Sequence, residues 1–217
     1  MHRILKNKKE LIEKFITKSD VVLDVGFLGQ GITMNDANWP HMQLRMCAKD
    51  VYGIDLEFDR AEFPDEEHYR KISAEKFDFG EIKFDVIVAG DIIEHLSNPG
   101  LFLDSAAQAL QQGGVLIMST PNCFNLWNLI GKVMRYEPTV NADHTCYFSE
   151  KTITRLLDKN DWVIDEILYL YSLDTHYTES WKKKIQNILY WFLSKFTTKF
   201  LEPMVVIARK RSLPESI

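Results

Sequence analysis

The stretch Val21–Ile32, VVLDVGFLGQGI, decides how the rest of the chain is read. Val21–Val25 has the composition of a short buried strand, bounded by Ser19-Asp20 before it and by Gly26 after it. Three glycines follow, Gly26, Gly29 and Gly31. A glycine-rich turn after a strand lets a ligand come close to main-chain N–H groups and to a helix N-terminus. Asp24 stands at the end of the strand. A second acid, Asp55, closes the next one, VYGID at Val51–Asp55. In doubly wound sheets that second position holds ribose hydroxyls.

Working outward, FDVIVAG at Phe84–Gly90 reads as a third strand and VLIMST at Val115–Thr120 as a fourth. Between them Leu101–Gln111 is helical and Gly113-Gly114 stops it. WVIDEILYL and PMVVIARK form the last two strands. Apolar residues at helical spacing predict an N-terminal amphipathic helix over about residues 4–17. Pro40 opens a helix running to about Ala48. Helices are also expected over 124–135 and 149–159, the second capped by Ser149. Glu57–Arg70 reads as an acidic surface segment. Strands alternating with helices imply a mainly parallel sheet covered on both faces. One domain over residues 1–217 is expected, with a helical insert at about 176–200 between the last two strands.

The 217 residues carry a formal net charge of -5, with 46% hydrophobic and 26% charged residues. That balance is globular and offers no general attraction to nucleic acid. Cys47, Cys123 and Cys146 stand too far apart for a usual zinc spacing or a disulfide framework. The N-terminal residues lack the apolar centre of a signal peptide, and no run approaches a membrane span, so a cytoplasmic location is expected.

The order Gly26, Gly29, Gly31 is G-x-x-G-x-G, whereas a nicotinamide dinucleotide calls for G-x-G-x-x-G. An anionic cofactor also gains little from Asp24. S-adenosylmethionine, with a sulfonium and an ammonium and no phosphate, suits that carboxylate better. VVLDVGFLGQG resembles the first motif of the class I S-adenosylmethionine-dependent methyltransferases. FDVIVAGDIIEHLSNPGLFLDSAAQALQQGGVLIMSTPN is similar to the central region of their small-molecule branch, and HTCYFSEKTITRLLDKNDWVIDEI to the segment after it.

The resemblance implies a Rossmann-like sheet of seven strands, mainly parallel, with the last strand antiparallel and inserted beside WVIDEILYL. It implies that Asp24 and Gly26 face the methionine end of the cofactor, with Gly29 and Gly31 keeping the turn narrow. Asp55 would bind the ribose, with Leu56 against the adenine. Ser73, Ala74 and Glu75 stand where the family has Asp-Ala-Glu for the adenine amino group. Gly90 and Asp91 would border the methyl group. Two departures are visible: the loop is one residue longer between its first two glycines, and Ser73 replaces an acid.

Methyl transfer from a sulfonium needs alignment more than activation, and a base only where the acceptor starts protonated. The candidate bases are His95 in DIIEHL and His144 in NADHTCYF. No metal is assigned. Asp91, Glu94 and His95 nevertheless resemble the acid-x-x-Glu-His run with which quinone-pathway members hold a divalent cation, and at i, i+3 and i+4 they would share a helical face. Trp39 and His41 follow the glycine loop, where they either cover the cofactor or pack. The insert, ESWKKKIQNILYWFLSKFTTKF, carries an apolar face beside lysines and reads as a lid, a dimer interface or a peripheral membrane contact. The function expected is methyl transfer to a small or lipid- or sugar-linked acceptor, as O- or N-methylation. The rivals are a non-catalytic cofactor-binding scaffold and a nicotinamide-dependent oxidoreductase.

Overall fold

The computed structural model describes residues 4–28, 39–57, 63, 65, 67–134, 141–170, 192, 197–198, 200–201 and 203–211. Gly29, Gly31 and all but a few residues of the insert expected at 176–200 lie outside them.

Along the chain come β1 (Ile4–Leu5), α1 (Lys8–Phe15), β2 (Val21–Val25), α2 (Pro40–Cys47), β3 (Asp50–Asp55), β4 (Tyr69–Lys71) and β5 (Phe84–Gly90). A 3₁₀ turn, Ile93–His95, leads to α3 (Pro99–Ala109). Then follow β6 (Leu110–Thr120), α4 (Leu126–Val133), α5 (Glu150–Lys159), β7 (Trp162–Leu170) and β8 (Met204–Lys210). The helix starts obey local chemistry. Asn7 and Asn98 accept from the backbone at Glu10 and Leu101, Pro40 and Pro99 occupy first-turn positions, and Ser149 forms a reciprocal capping box with Thr152.

The strands form one sheet in the order β1-β7-β8-β6-β5-β2-β3-β4. All run parallel except β8, which is antiparallel to both β6 and β7. The doubly wound class and the reversed last strand are therefore as expected, but the sheet has eight strands rather than seven. Six strands could be read from apolar runs. The other two, β1 and β4, are two and three residues long and owe their existence to pairing: Ile4 and Leu5 with Tyr169 and Leu170, and Tyr69–Lys71 with Gly53–Asp55. The N-terminal helix is correspondingly shorter than 4–17. β6 begins at Leu110, opposite Phe84, so α3 ends before the glycines expected to stop it.

Both faces of the sheet are covered, which explains why neighbouring apolar residues along one strand are all buried. Leu23, Ile87 and Leu116 join the core beneath α3 and α5, with Phe102, Leu157 and Trp162. Val22, Val86 and Ile117 join the opposite core, with Leu11 and Ile12 of α1 and Leu44 of α2. From β2 the chain winds to β3 and β4 on one side and to β5 and β6 on the other. The carboxyl ends of β2 and β5 therefore diverge at a switch point, where ligands bind in such sheets.

Candidate active site

At that switch point Gly26 has φ +75°, and an added Cβ would lie 2.2 Å from Ile92 Cδ1. Glycine is required there both for the backbone conformation and for the close approach of the segment leaving β5. The residue that lengthens the loop, Phe27, is buried among Trp39, Phe63 and Tyr69. Its ring edge meets Phe63 at 5.0 Å between centroids, and Trp39 Nε1 donates to its carbonyl at 2.7 Å. Gly53 on β3 makes room for it, since a Cβ there would lie 2.8 Å from the Phe27 ring. The extra length is thus anchored by a buried aromatic side chain. The next residue, Leu28, donates its N–H to Asp55 Oδ2 at 3.2 Å.

A pocket of about 100 Å³ opens beside this turn, lined by apolar residues of α1 and the sheet together with Asp24, Gly26, Gly90, Ser119 and Lys8. It is smaller than the ~300–1,000 Å³ of a complete ligand site, so it accommodates one end of a ligand. Among the described residues its charged lining consists of one anion, Asp24, and one cation, Lys8. Asp24 is almost fully buried, and its Oδ2 lies 2.9 Å from Nδ1 of His41. His41 is completely buried and meets the Tyr69 hydroxyl with its other nitrogen at 3.0 Å.

Asp91, just past β5, has φ +53°. Its Oδ1 accepts from the Ser119 hydroxyl at 2.9 Å, and its Oδ2 pairs with Lys8 Nζ at 3.3 Å. Asp55 accepts at both oxygens, from Leu28 N and Glu57 N. Leu56 beside it is 59% exposed. Ser73, Ala74 and Glu75 follow β4. Ser73 Oγ accepts from Glu75 N at 3.1 Å and Glu75 Oε1 from Asn98 N at 2.7 Å, while Ala74 packs against the core.

On the other side of Asp91 the loop before α5 is stitched onto the 3₁₀ turn. Thr145 N–H donates to Glu94 O at 2.8 Å and the Thr145 hydroxyl to Leu96 O at 2.6 Å. This brings the His144 ring edge-on to His95, with centroids 4.6 Å apart. Burial and the neighbouring His95 lower the His144 pKa, which favours a neutral imidazole able to accept a proton. Glu94 is 1% exposed, and neither carboxylate oxygen has a hydrogen-bond partner. Its pKa is pushed up to about 8 by burial and by the charge of Asp91. The Thr120 hydroxyl is close enough to favour the ionised form, yet short of hydrogen-bond geometry.

Glu94, His95 and His144 each offer one ligand atom, all within 4.8 Å of one another. This grouping differs from the Asp91, Glu94 and His95 run, which would have shared a face had the segment been helical. The turn is only three residues long, and Asp91 is turned toward Lys8 and Ser119. His144 takes its place. Lys8, Tyr69 and the role of Phe27 were not legible as site features. The signals for them were a lysine at the start of an amphipathic helix and an aromatic residue inside an acidic segment, neither of which is specific.

Comparison with known proteins identifies the class this geometry belongs to. The family described as "Methyltransferase domain" matches residues 2–167, and the chain belongs to that family. Among curated relatives, a ubiquinone biosynthesis O-methyltransferase of Bartonella quintana is 33% identical over 135 residues, 58% of this chain and 53% of the relative. The chain thus spans about half the length of the curated relatives it matches. Solved structures share the fold at low identity. An S-adenosylmethionine-dependent methyltransferase of Clostridium acetobutylicum has a TM-score of 0.59 at 12% identity, covering 94% of this chain and 89% of its own. A 1,6-didemethyltoxoflavin-N1-methyltransferase of Burkholderia thailandensis, solved with 1,6-didemethyltoxoflavin and S-adenosylhomocysteine bound, has a TM-score of 0.57 at 16% identity over 94% of this chain and 77% of its own. No helix among the described residues is long and apolar enough to cross a membrane.

Proposed function

We propose that the protein transfers the methyl group of S-adenosylmethionine to a hydroxyl of a small aromatic acceptor, with His144 as the base. The observation that carries this reading is the meeting of His95 and His144 in the segment that follows β5, the strand whose last residue, Gly90, lines the pocket with Asp24 and Lys8. An α-amino acid end matches that pocket: its ammonium toward Asp24, its carboxylate toward Lys8, its methylenes against the apolar lining. Asp55 would then hold the ribose hydroxyls, Leu56, Ser73, Ala74 and Glu75 would border the adenine, and Gly90 and Asp91 would border the sulfonium.

In the reaction the acceptor oxygen attacks the methyl carbon in line with the departing sulfur. A C–O bond would form as the C–S bond broke, with the sulfur departing as a neutral thioether, and His144 would take the hydroxyl proton. The chain supplies alignment and proton acceptance, and both are compatible with a neutral His144. The relatives' name, ubiquinone biosynthesis O-methyltransferase, points to an aromatic hydroxyl. The test is incubation with S-adenosylmethionine and a panel of dihydroxybenzoates, followed by mass spectrometry. A methyl ether product is expected. Binding of S-adenosylhomocysteine without transfer to any member of the panel would overturn the acceptor class.

A second reading is favoured by the buried Glu94 carboxylate, which has no hydrogen-bond partner and lies within reach of two imidazoles. Two nitrogens and a carboxylate oxygen fit a divalent transition ion. Held by Glu94, His95 and His144, such an ion would acidify and orient the acceptor hydroxyl. Turnover that survives a chelator unchanged excludes it.

A further inference from the structure

His41 lies in no part of the chemistry described so far, yet it is completely buried and bonded at both ring nitrogens. The network is satisfied when the ring carries its proton on Nδ1, donates it to Asp24 Oδ2 and accepts the Tyr69 hydroxyl at Nε2. Burial raises the Tyr69 pKa, so the phenol keeps the proton that the last bond uses. The ring cannot turn. Phe27 and Trp39 pack on it at 5.1 Å and 4.9 Å between centroids, and Tyr69 is fixed on β4 opposite Gly53.

We infer that His41 is a positioning residue: held by Tyr69, it engages one oxygen of Asp24 so that the carboxylate presents the other toward the cationic amino-acid end of the methyl donor. This rests on the proposal that Asp24 faces that end. A carboxylate on the wall of an apolar pocket turns to whatever donor is available, and a buried donor behind it decides which way it points. The three residues come from β2, α2 and β4, so the device spans the strand leading into the glycine turn and the outermost strand on that side of the sheet. The first residue of β4 supplies the hydroxyl that meets the ring.

The test uses two probes that differ only at the end in question: S-adenosylhomocysteine, and 5′-methylthioadenosine, which has the nucleoside and the sulfur but no amino acid. Titration calorimetry on the full chain compares wild type with His41→Leu, His41→Asn and Tyr69→Phe. His41→Leu is expected to weaken S-adenosylhomocysteine about tenfold, the scale of one lost hydrogen bond to a charged group. It should leave 5′-methylthioadenosine within about twofold, and His41→Asn, which keeps an N–H toward Asp24, should recover most of the loss. Equal weakening of both probes, no weakening of either, or no recovery by asparagine would each overturn the inference in favour of plain packing. Should His41→Leu fail to fold, Tyr69→Phe removes a single oxygen and carries the same comparison, with about a threefold loss expected for S-adenosylhomocysteine alone; an equal or absent loss overturns it. Asp24→Asn is the control for the underlying reading. If it leaves the preference for S-adenosylhomocysteine intact, the amino-acid end is not at Asp24. If it abolishes that preference while His41→Leu does not, only the role of His41 fails.

Discussion

The two ends of the cleft are built in opposite ways. At the end bordered by β2, α2 and β4, Asp24, His41, Tyr69 and Trp39 all have hydrogen-bond partners inside a packed aromatic cluster. Across Asp91, in the 3₁₀ turn and the loop before α5, Glu94 is buried with no partner and His144 is pulled away from its ordinary pKa. A satisfied network is a stable scaffold and can hold a ligand in one pose. Unsatisfied, perturbed groups cost stability, and they are retained where a substrate or ion completes them. Under the proposed function, the contrast separates a binding end from a reacting end.

That division can be broken most directly at His144. Replacement by alanine should lower turnover by roughly 10²–10⁴-fold, the usual weight of a general base, while affinity for S-adenosylhomocysteine stays within about twofold. Single-turnover assays beside calorimetry read the two separately. Parallel losses would erase the distinction between the ends.

The next effect is on stability. Glu94 titrates near 8 in the folded chain instead of its ordinary 4.5, so between those values the folded state holds a proton that the unfolded state has released. Stability is therefore fully present below about 4.5 and declines as pH rises toward 8. Thermal melts across that window should show the decline, and Glu94→Gln should flatten it. If a divalent cation occupies the cluster, adding that cation should raise the melting temperature of wild type at high pH and leave the glutamine variant unmoved.

At the binding end the expected effects are steric. Gly53→Ala drives a Cβ to 2.8 Å from the Phe27 ring, and an alanine at Gly26 adds a strained left-handed backbone to its contact with Ile92. Each should cost about 1–3 kcal/mol in urea unfolding. Gly113→Ala is the comparison: it shares the positive φ, but no atom lies within 4 Å of its added Cβ, so its cost should be the smaller. The smallest change should follow Lys8→Met. Its ion pair with Asp91 is about one-third exposed on each side and contributes little to stability. Its contact with the donor carboxylate should appear as a loss of about three- to fivefold in S-adenosylhomocysteine affinity, with none for 5′-methylthioadenosine.

Much of the frame could be read before any coordinates. β2, β3, β5 and the second half of β6 are mostly apolar because both of their faces are buried, and Pro40 and Ser149 mark two helix starts, one by lacking a first-turn N–H and the other by accepting one. Gly26 and the acids near the ends of β2 and β3 were legible as positions for the same reason, since each stands where an apolar strand gives way to a turn. β1 and β4 were not, because two or three residues carry no periodicity. The meeting of His144 with Glu94 and His95 was not legible, because it depends on how the loop before α5 is stitched onto a single 3₁₀ turn.

The sequence by itself determined the alternation of strands and helices, the glycine turn at the switch point, and the family. Each of these is written in neighbouring residues, through backbone sterics and burial on two faces. Only the tertiary structure decided that His41 would bridge Asp24 to Tyr69, that Lys8 would reach Asp91, and that His144 would meet His95. Those contacts join residues 17, 28, 83 and about 50 positions apart. Side chains so distant in the chain are brought together by sheet order and loop stitching, and no local pattern records the distance between them.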